Sequence, residues 1–427
     1  MRVLVIGQGA REHALVARLA ADRDVGEIVA APGNPGIAHL ARTVSVDVRD
    51  VQSVLALADR EQIDLTVVGP ELPLSLGLAD RFESEGRLIF GPSAAAAQLE
   101  SSKAFAKAFM TRHGVPTARF RICETLDAAL TSVRASEFGL PVVLKADGLA
   151  AGKGVVIADD GASAERAVVD AMRERKFGAA GDRLVLEECL EGPEVSFFLV
   201  CDGTRAVPIG TAQDYKRALD DDRGPNTGGM GAFAPSPLVD AVLEARIMNE
   251  IVEPVMRGMT AEGHPFRGFL YVGLMLTAAG PKVIEFNVRL GDPEAQVVLP
   301  LIDEPLLPIL VACAAGALRQ TSIRLGEDRL AGVVLASRGY PESSESGQPI
   351  LGIDAAEMIP GVTVYHAGTS RQHGQLVTAG GRVLTVVGRG DDFPEAIARA
   401  YAGVLQISFD GAHYRHDIGR KALSVQP

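Results

Sequence analysis

Cysteine is scarce and scattered. Cys123, Cys189, Cys201 and Cys313 are the only four in 427 residues, and no two stand at a metal-ligand spacing. That argues against a zinc site or a disulfide framework, and ordinary reduced thiols are the reading. Long apolar runs are missing as well. No stretch reaches about 18 uninterrupted apolar residues, the length a membrane helix needs. The opening MRVLVIGQGARE runs into glycine too soon for a secretion signal. A cytoplasmic protein with no membrane partner is expected. Positive charge is in deficit, with 42 Lys and Arg against 54 Asp and Glu and a net charge of −12. Such a surface repels a polyphosphate backbone, which argues against nucleic acid as a partner. Any anionic substrate must be met by local Lys, Arg and backbone N–H groups. Internal repeats and low-complexity tracts are absent, and no Ser/His or Cys/His arrangement suggests a protein nucleophile.

What is present reads as a folded multidomain protein, 47% apolar and 22% charged. At roughly 100–200 residues per domain, the length suggests two to four domains. The first hundred residues alternate short β-branched runs (2–6, 27–30, 43–46, 65–68, 87–90) with helical patterns such as 11–21 and 51–61. Strands alternating with helices imply a parallel sheet whose ligands sit at the strands' carboxyl ends. Those ends carry residues 7–12, 32–36 and 69–71. Gly91-Pro92 then punctuates the chain, and one helix is expected over 94–113 with Lys103 and Lys107 on one face. A compact α+β stretch follows, then strands over 195–201, 269–277 and 282–286 and a helix over 305–317. From residue 330 short strands with Gly/Pro turns read as a separate antiparallel domain.

Five segments carry candidate chemistry. In GQGAREH the third glycine of a dinucleotide fingerprint is replaced by Glu12, and the next strand ends in Ala31-Pro32-Gly33-Asn34 without an acidic ribose clamp. A loop opening a helix still suits a single phosphate, with Arg11 adding a charged contact. KADGLAAGKGV (145–155) is no Walker A, because no G-K-[ST] opens a helix. It fits a glycine-rich flap between two antiparallel strands, with Gly152, Lys153 and Gly154 closing over phosphates and Lys145 reaching from the strand before it. VLEECLEGPE (185–194) resembles an adenine hinge, its backbone near Glu187 and Leu190 reading the base and Glu194 the ribose. In VIEFNVRLGDPEAQ (283–296), Glu285 and Asn287 alternate with Ile284, Phe286 and Val288. Period-two geometry puts the polar pair on one face, with Arg289 following, and a carboxylate beside a carboxamide suits Mg²⁺. The turn Gly291-Asp292-Pro293-Glu294 offers a carboxylate to a substrate amine. QDYKRALDDDRGPNTGGMGAF (213–233) reads as a long polar loop, with Asp214, Lys216 and Arg217 facing an anion and residues 226–231 forming a backbone nest.

Together, VIGQGAREHAL, APGNPG, VGPE, KADGLAAGKGV and the two long motifs resemble the phosphoribosylamine–glycine ligase (glycinamide ribonucleotide synthetase) family of the ATP-grasp superfamily, over essentially the whole chain. The resemblance implies an α/β multidomain fold. A Rossmann-like parallel sheet would span 1–100, and an ATP-grasp domain 101–325 with a mobile lid at about 120–192. A C-terminal α+β antiparallel domain would span 326–427. It implies ligation of glycine to 5-phosphoribosylamine through glycyl phosphate, in a monomer. ATP and Mg²⁺ or Mn²⁺ would be bound, the metal by Glu285 and Asn287. Lys103, Lys145, Gly152, Lys153, Gly154, Glu187, Leu190 and Glu194 would hold ATP. Arg289, Asp292 and Lys153 would be catalytic. Gly9, Arg11, Glu12, Asn34, Asp214, Lys216, Asn226, Gly291 and Asp292 would bind substrate, the acceptor's phosphate lying on residues 9–13. Another ATP-grasp carboxylate–amine ligase of purine metabolism is the alternative.

Overall fold

In the computed structural model, which describes residues 1–149 and 154–424, the chain opens on the run RVLVIG, buried on both faces. Val3 and Val5 pack into one core with the helix Ala10–Ala20, while Leu4 and Ile6 pack into another with the helix Val51–Arg60. Helices on both sides are what a parallel sheet requires. Its five strands run in the order Arg42–Thr43, Glu27–Pro32, Arg2–Gly7, Leu65–Val68, Ile89–Phe90, all parallel.

A second sheet of eight antiparallel strands forms the body. Its order is Gly280–Asn287, Arg267–Thr277, Glu194–Asp202, Ala206–Asp214, Gly231–Ala234, Arg329–Ala336, Arg382–Gly390, Val362–His366. The strand Glu194–Asp202 alternates as expected, Phe198 and Val200 entering the first core and Phe197, Leu199 and Cys201 the second. The C-terminal strands, expected as a separate domain, have a core of their own but extend this same sheet. Gly231–Ala234 pairs with Arg329–Ala336 in the register Gly231↔Val333, which carries the ladder across.

A third sheet, Phe120–Cys123, Leu184–Glu188, Val142–Ala146 and Val155–Ala158, forms the lid with helices Leu126–Arg134 and Gly161–Met172. Its buried core draws on residues between Cys123 and Leu186 alone.

Two expectations change here. The single helix over 94–113 is two, Gln98–Ser101 and Lys103–Arg112. Ser102 between them is extended, and its Oγ accepts from Phe105 N at 3.1 Å as the N-cap of the second. The polar loop over 213–233 is ordered as a hairpin, Arg217–Leu219 with Arg223–Asn226, followed by the strand Gly231–Ala234. The C-terminal tail holds it. Arg415, fully buried, donates to Arg217 O and pairs with Asp222 and Asp417, while Asp221 N donates to Asp417.

Candidate active site

The strand Gly280–Asn287 positions the expected metal ligands, with one irregularity. The register with Arg267–Thr277 shifts between Gly273 and Leu274, leaving Ile284 as a bulge. Val283, Phe286 and Val288 are therefore the buried residues and Ile284 is only partly covered, which corrects the simple alternation. Glu285 and Asn287 still share a face. Among the described residues, neither side chain makes a hydrogen bond or an ion pair. Burial would raise the Glu285 carboxyl, but Lys216, Lys145 and Lys103 outweigh it and hold its pKa below the usual range, so it is ionised. An ionised carboxylate and a carboxamide with no protein partner make a donor set that fits a hard divalent cation.

Beside them lies a buried lysine–carboxylate cluster. Lys145 Nζ donates to the bulge carbonyl Ile284 O at 3.0 Å and pairs with Glu187 Oε2 at 3.1 Å. Lys107 Nζ meets the same oxygen at 2.8 Å. Burial pushes the Lys107 amine down to about 8 despite that pairing. The other oxygen, Glu187 Oε1, is buried without a partner among the described residues. Lys103 opens its helix and donates to Gly148 O at 3.0 Å, at the base of the glycine flap. Gly154 O accepts from Ala146 N at 2.8 Å, so the flap's strands stay paired to that point. Gly152 and Lys153 lie outside the described residues. Leu190 falls in the crossing from the lid strand Leu184–Glu188 to the body strand Glu194–Asp202. At Gly192 in that crossing φ is +145°, and a Cβ there would meet Leu276 O at 2.2 Å.

Arg289 reaches from the strand's end to the N-terminal half. Its Nη2 pairs with Glu100 at 2.8 Å and its Nε with Glu71 at 3.2 Å. Burial alone would weaken the guanidinium's hold on its proton, and Glu100 and Glu71 more than reverse that. Asp292 follows in the turn. Gln296 Nε2 donates to its Oδ1 at 2.7 Å and Arg382 Nη2 pairs with its Oδ2 at 3.1 Å. Burial would raise this carboxyl, and Arg382 and Arg11 keep it ionised. Behind Gly291 sits Glu294, which burial and the nearby Asp214 raise to about 7. Asn226 ends the hairpin strand Arg223–Asn226. Glu194, expected at the ribose, and Lys216, expected at an anion, are each other's partners at 2.6 Å.

The N-terminal loop has a carboxylate partner of its own. Gly9 N donates to Glu12 Oε2 at 2.6 Å, and Arg11 Nε pairs with Glu12 Oε1 at 2.7 Å while its Nη1 donates to Leu290 O at 3.2 Å. The Glu12 side chain fills the space that Cβ atoms at Gly7 and Gly69 would take. The helix thus already has its anion, and a second negative charge there is repelled. The phosphate expected on residues 9–13 would share this helix N-terminus with the Glu12 carboxylate and its Arg11 partner. Asn34 is bonded at both ends of its carboxamide. Its Nδ2 donates to Gln8 O and His366 O, both at 2.8 Å, and its Oδ1 accepts from Ile37 N at 2.9 Å. It ties the N-terminal sheet to the C-terminal region, and Oδ1 accepts one hydrogen bond among the described residues.

The sequence reading missed Glu100, Lys107's bond to Glu187, and Arg382. Lys107 had a signal, one turn beyond Lys103. Glu100 and Arg382 had none, because their partners are 188 and 90 residues away.

Comparison with known proteins agrees with this architecture. Residues 1–100, 101–295 and 330–421 match the N, ATP-grasp (A) and C domains described as phosphoribosylglycinamide synthetase. The chain is 50% identical over 427 residues to a phosphoribosylamine–glycine ligase of Xylella fastidiosa, covering 99% of this chain and 98% of that one. It is 46% identical to the protein of that name from Neisseria meningitidis, covering 99% and 100%. A crystal structure of a phosphoribosylamine–glycine ligase from Thermotoga maritima superposes with a TM-score of 0.85 at 33% identity, covering 98% of this chain and all of that one. No helix among the described residues is long and apolar enough to cross a membrane.

Proposed function

The chain belongs to the phosphoribosylglycinamide synthetase family and is an ATP-grasp ligase, and on that premise we propose that it joins glycine to 5-phosphoribosylamine by way of glycyl phosphate. The carboxylate oxygen of glycine attacks the γ-phosphorus of ATP, the bond to the bridging oxygen breaks, and ADP leaves with its electron pair. The amine nitrogen of the acceptor then attacks the acyl carbon. The C–O bond to phosphate breaks, inorganic phosphate leaves, and the nitrogen loses a proton. Phosphorylation is needed because oxide is too poor a leaving group for direct amide formation.

The observation that carries this reading is the pair Glu285 and Asn287, unpartnered among the described residues beside Lys103 and Lys145. A bound Mg²⁺ or Mn²⁺ there would neutralise charge spreading over the phosphoryl oxygens. The chain itself orients the reactants. Lys145, Lys103 and Lys153 meet the phosphates, and Gly152 and Gly154 let the flap close over them and exclude water. The backbone near Glu187 and Leu190 reads the adenine, with Glu187 Oε1, unpartnered among the described residues, left to accept from an amino donor, and Glu194 serves the ribose end. Asp292 takes the ammonium of glycine above Gly291, while Arg289 supplies positive charge between the two half-sites. Asp214, Lys216 and Asn226 line the acceptor side. A monomer working in the cytoplasm completes the proposal.

The test is ADP release with candidate acids. Glycine and 5-phosphoribosylamine should both be required, and bicarbonate or formate should do nothing. With glycine carrying ¹⁸O in its carboxylate, one labelled oxygen should appear in the released phosphate. ADP release driven by bicarbonate without glycine would establish the alternative ligase, and unlabelled phosphate would rule out the acyl phosphate.

A further inference from the structure

We propose that Arg382, at the start of the strand Arg382–Gly390, is a positioning residue that sets the glycine end of the site from the C-terminal region. The inference rests on the reading that Asp292 faces glycine. One guanidinium joins two segments that are far apart in the chain. Its Nη1 donates to Gly228 O at 2.6 Å and to Asp292 O at 2.5 Å, and its Nη2 pairs with Asp292 Oδ2 at 3.1 Å. Gly228 is held from the other side, its N–H donating to Tyr340 Oη at 2.9 Å. The two segments are also in van der Waals contact. A Cβ at Gly229, where φ is +113°, would stand 2.4 Å from Pro293 Cδ. Arg382 therefore seals a seam between the 226–231 loop and the 291–294 turn.

The consequence falls on the Asp292 carboxylate. Gln296 fixes one oxygen and Arg382 the other, which sets the plane of the group as well as its charge. The two side chains are 21% and 18% exposed, so the pair is partly desolvated yet open on one side. Each carboxylate oxygen keeps a lone pair for a substrate ammonium. A lysine at 382 would supply the charge but not the planar fork that reaches carbonyl and carboxylate together. The role is thus orientation and spacing, the terms to which a small substrate with few contacts is most sensitive.

Arg382→Met and Arg382→Lys separate this from general stability. In the full chain, Arg382→Met should raise the KM for glycine by about ten- to a hundredfold and leave the KM for ATP within about twofold. Arg382→Lys should fall between, and added guanidinium ion should restore part of the glycine affinity of Arg382→Ala. Hydrogen exchange supplies a readout independent of turnover, because amides in 226–231 and 290–296 should lose protection in Arg382→Met while the lid does not change. A glycine KM within about twofold of wild type, or equal rises in both KM values with no rescue, would overturn the inference. So would unchanged exchange at the seam. If wild-type turnover proves independent of glycine while the seam loosens in Arg382→Met, the functional reading fails and the positioning of Asp292 stands.

Discussion

Glu285 is costly to place. It is a partly covered carboxylate with no hydrogen bond or ion pair among the described residues, kept ionised by Lys216, Lys145, Lys103 and Arg289 at a distance. A folded protein gains little from such a group, and replacing an unpartnered charge with an apolar side chain is often neutral or stabilising. Glu285→Ala should therefore retain the wild-type melting temperature within a few degrees and lose turnover by at least about a hundredfold. Asn287→Ala should share that pattern more mildly, since a carboxamide contributes a weaker ligand. Glu187 makes the contrast. It is buried and pairs with Lys107 at 2.8 Å and Lys145 at 3.1 Å, so its loss would leave two buried ammonium groups uncompensated. A Glu285→Ala variant that turned over normally would remove the metal site. One that failed to fold would show that the side chain holds the strand rather than the ligand.

At the scale of elements, the backbone of the 226–231 loop matters more than its side chains. Gly229→Ala adds a Cβ against Pro293 at a backbone angle that L-residues avoid, a cost of about 1–3 kcal/mol. The strain should appear first as separation of loop and turn. The glycine KM should rise before stability falls, as measured by steady-state kinetics beside urea unfolding, and an unchanged KM would uncouple the loop from the site. What the sequence could and could not reveal follows the same division. Short-range patterns were legible: the βαβ order of the first sheet, the strand carrying Glu285 and Asn287, and the flap between two antiparallel strands. The break at Ser102 needed its capping bond, and the bulge at Ile284 needed the neighbouring strand, neither of which periodicity contains. The 213–233 stretch looked like a loop because its partners, Arg415 and Asp417, lie almost 200 residues on. Nothing in GQGAREH says that Glu12 folds back onto its own glycines.

For the whole molecule, the N-terminal sheet shares cores with the body, the body and the C-terminal strands share one continuous ladder, and the lid keeps a core of its own. The N-terminal sheet region and the C-terminal strands meet at a pair of buried imidazoles. His366 N donates to His13 Nδ1 at 2.9 Å, and the rings lie edge to face 5.7 Å apart. That bond needs His13 neutral at Nδ1. Burial, then His366 and His39, pushes His13 down to about 3, and burial, then His39 and Arg371, pushes His366 to about 4. Both folded values lie below the unfolded one of about 6.5, so between them the unfolded chain binds more protons and stability rises with pH. Moving from pH 6.5 to 5 should cost on the order of 2 kcal/mol for each imidazole, with protonation opening the contact between the N- and C-terminal regions. Thermal unfolding across pH 4.5–7.5 reads this directly. His13→Asn places a carboxamide oxygen near the Nδ1 position and cannot titrate, so its melting temperature should fall less steeply on the acid side than that of wild type. Parallel acid limbs in the two proteins would assign the acid sensitivity to other groups and leave the imidazole contact a passive one.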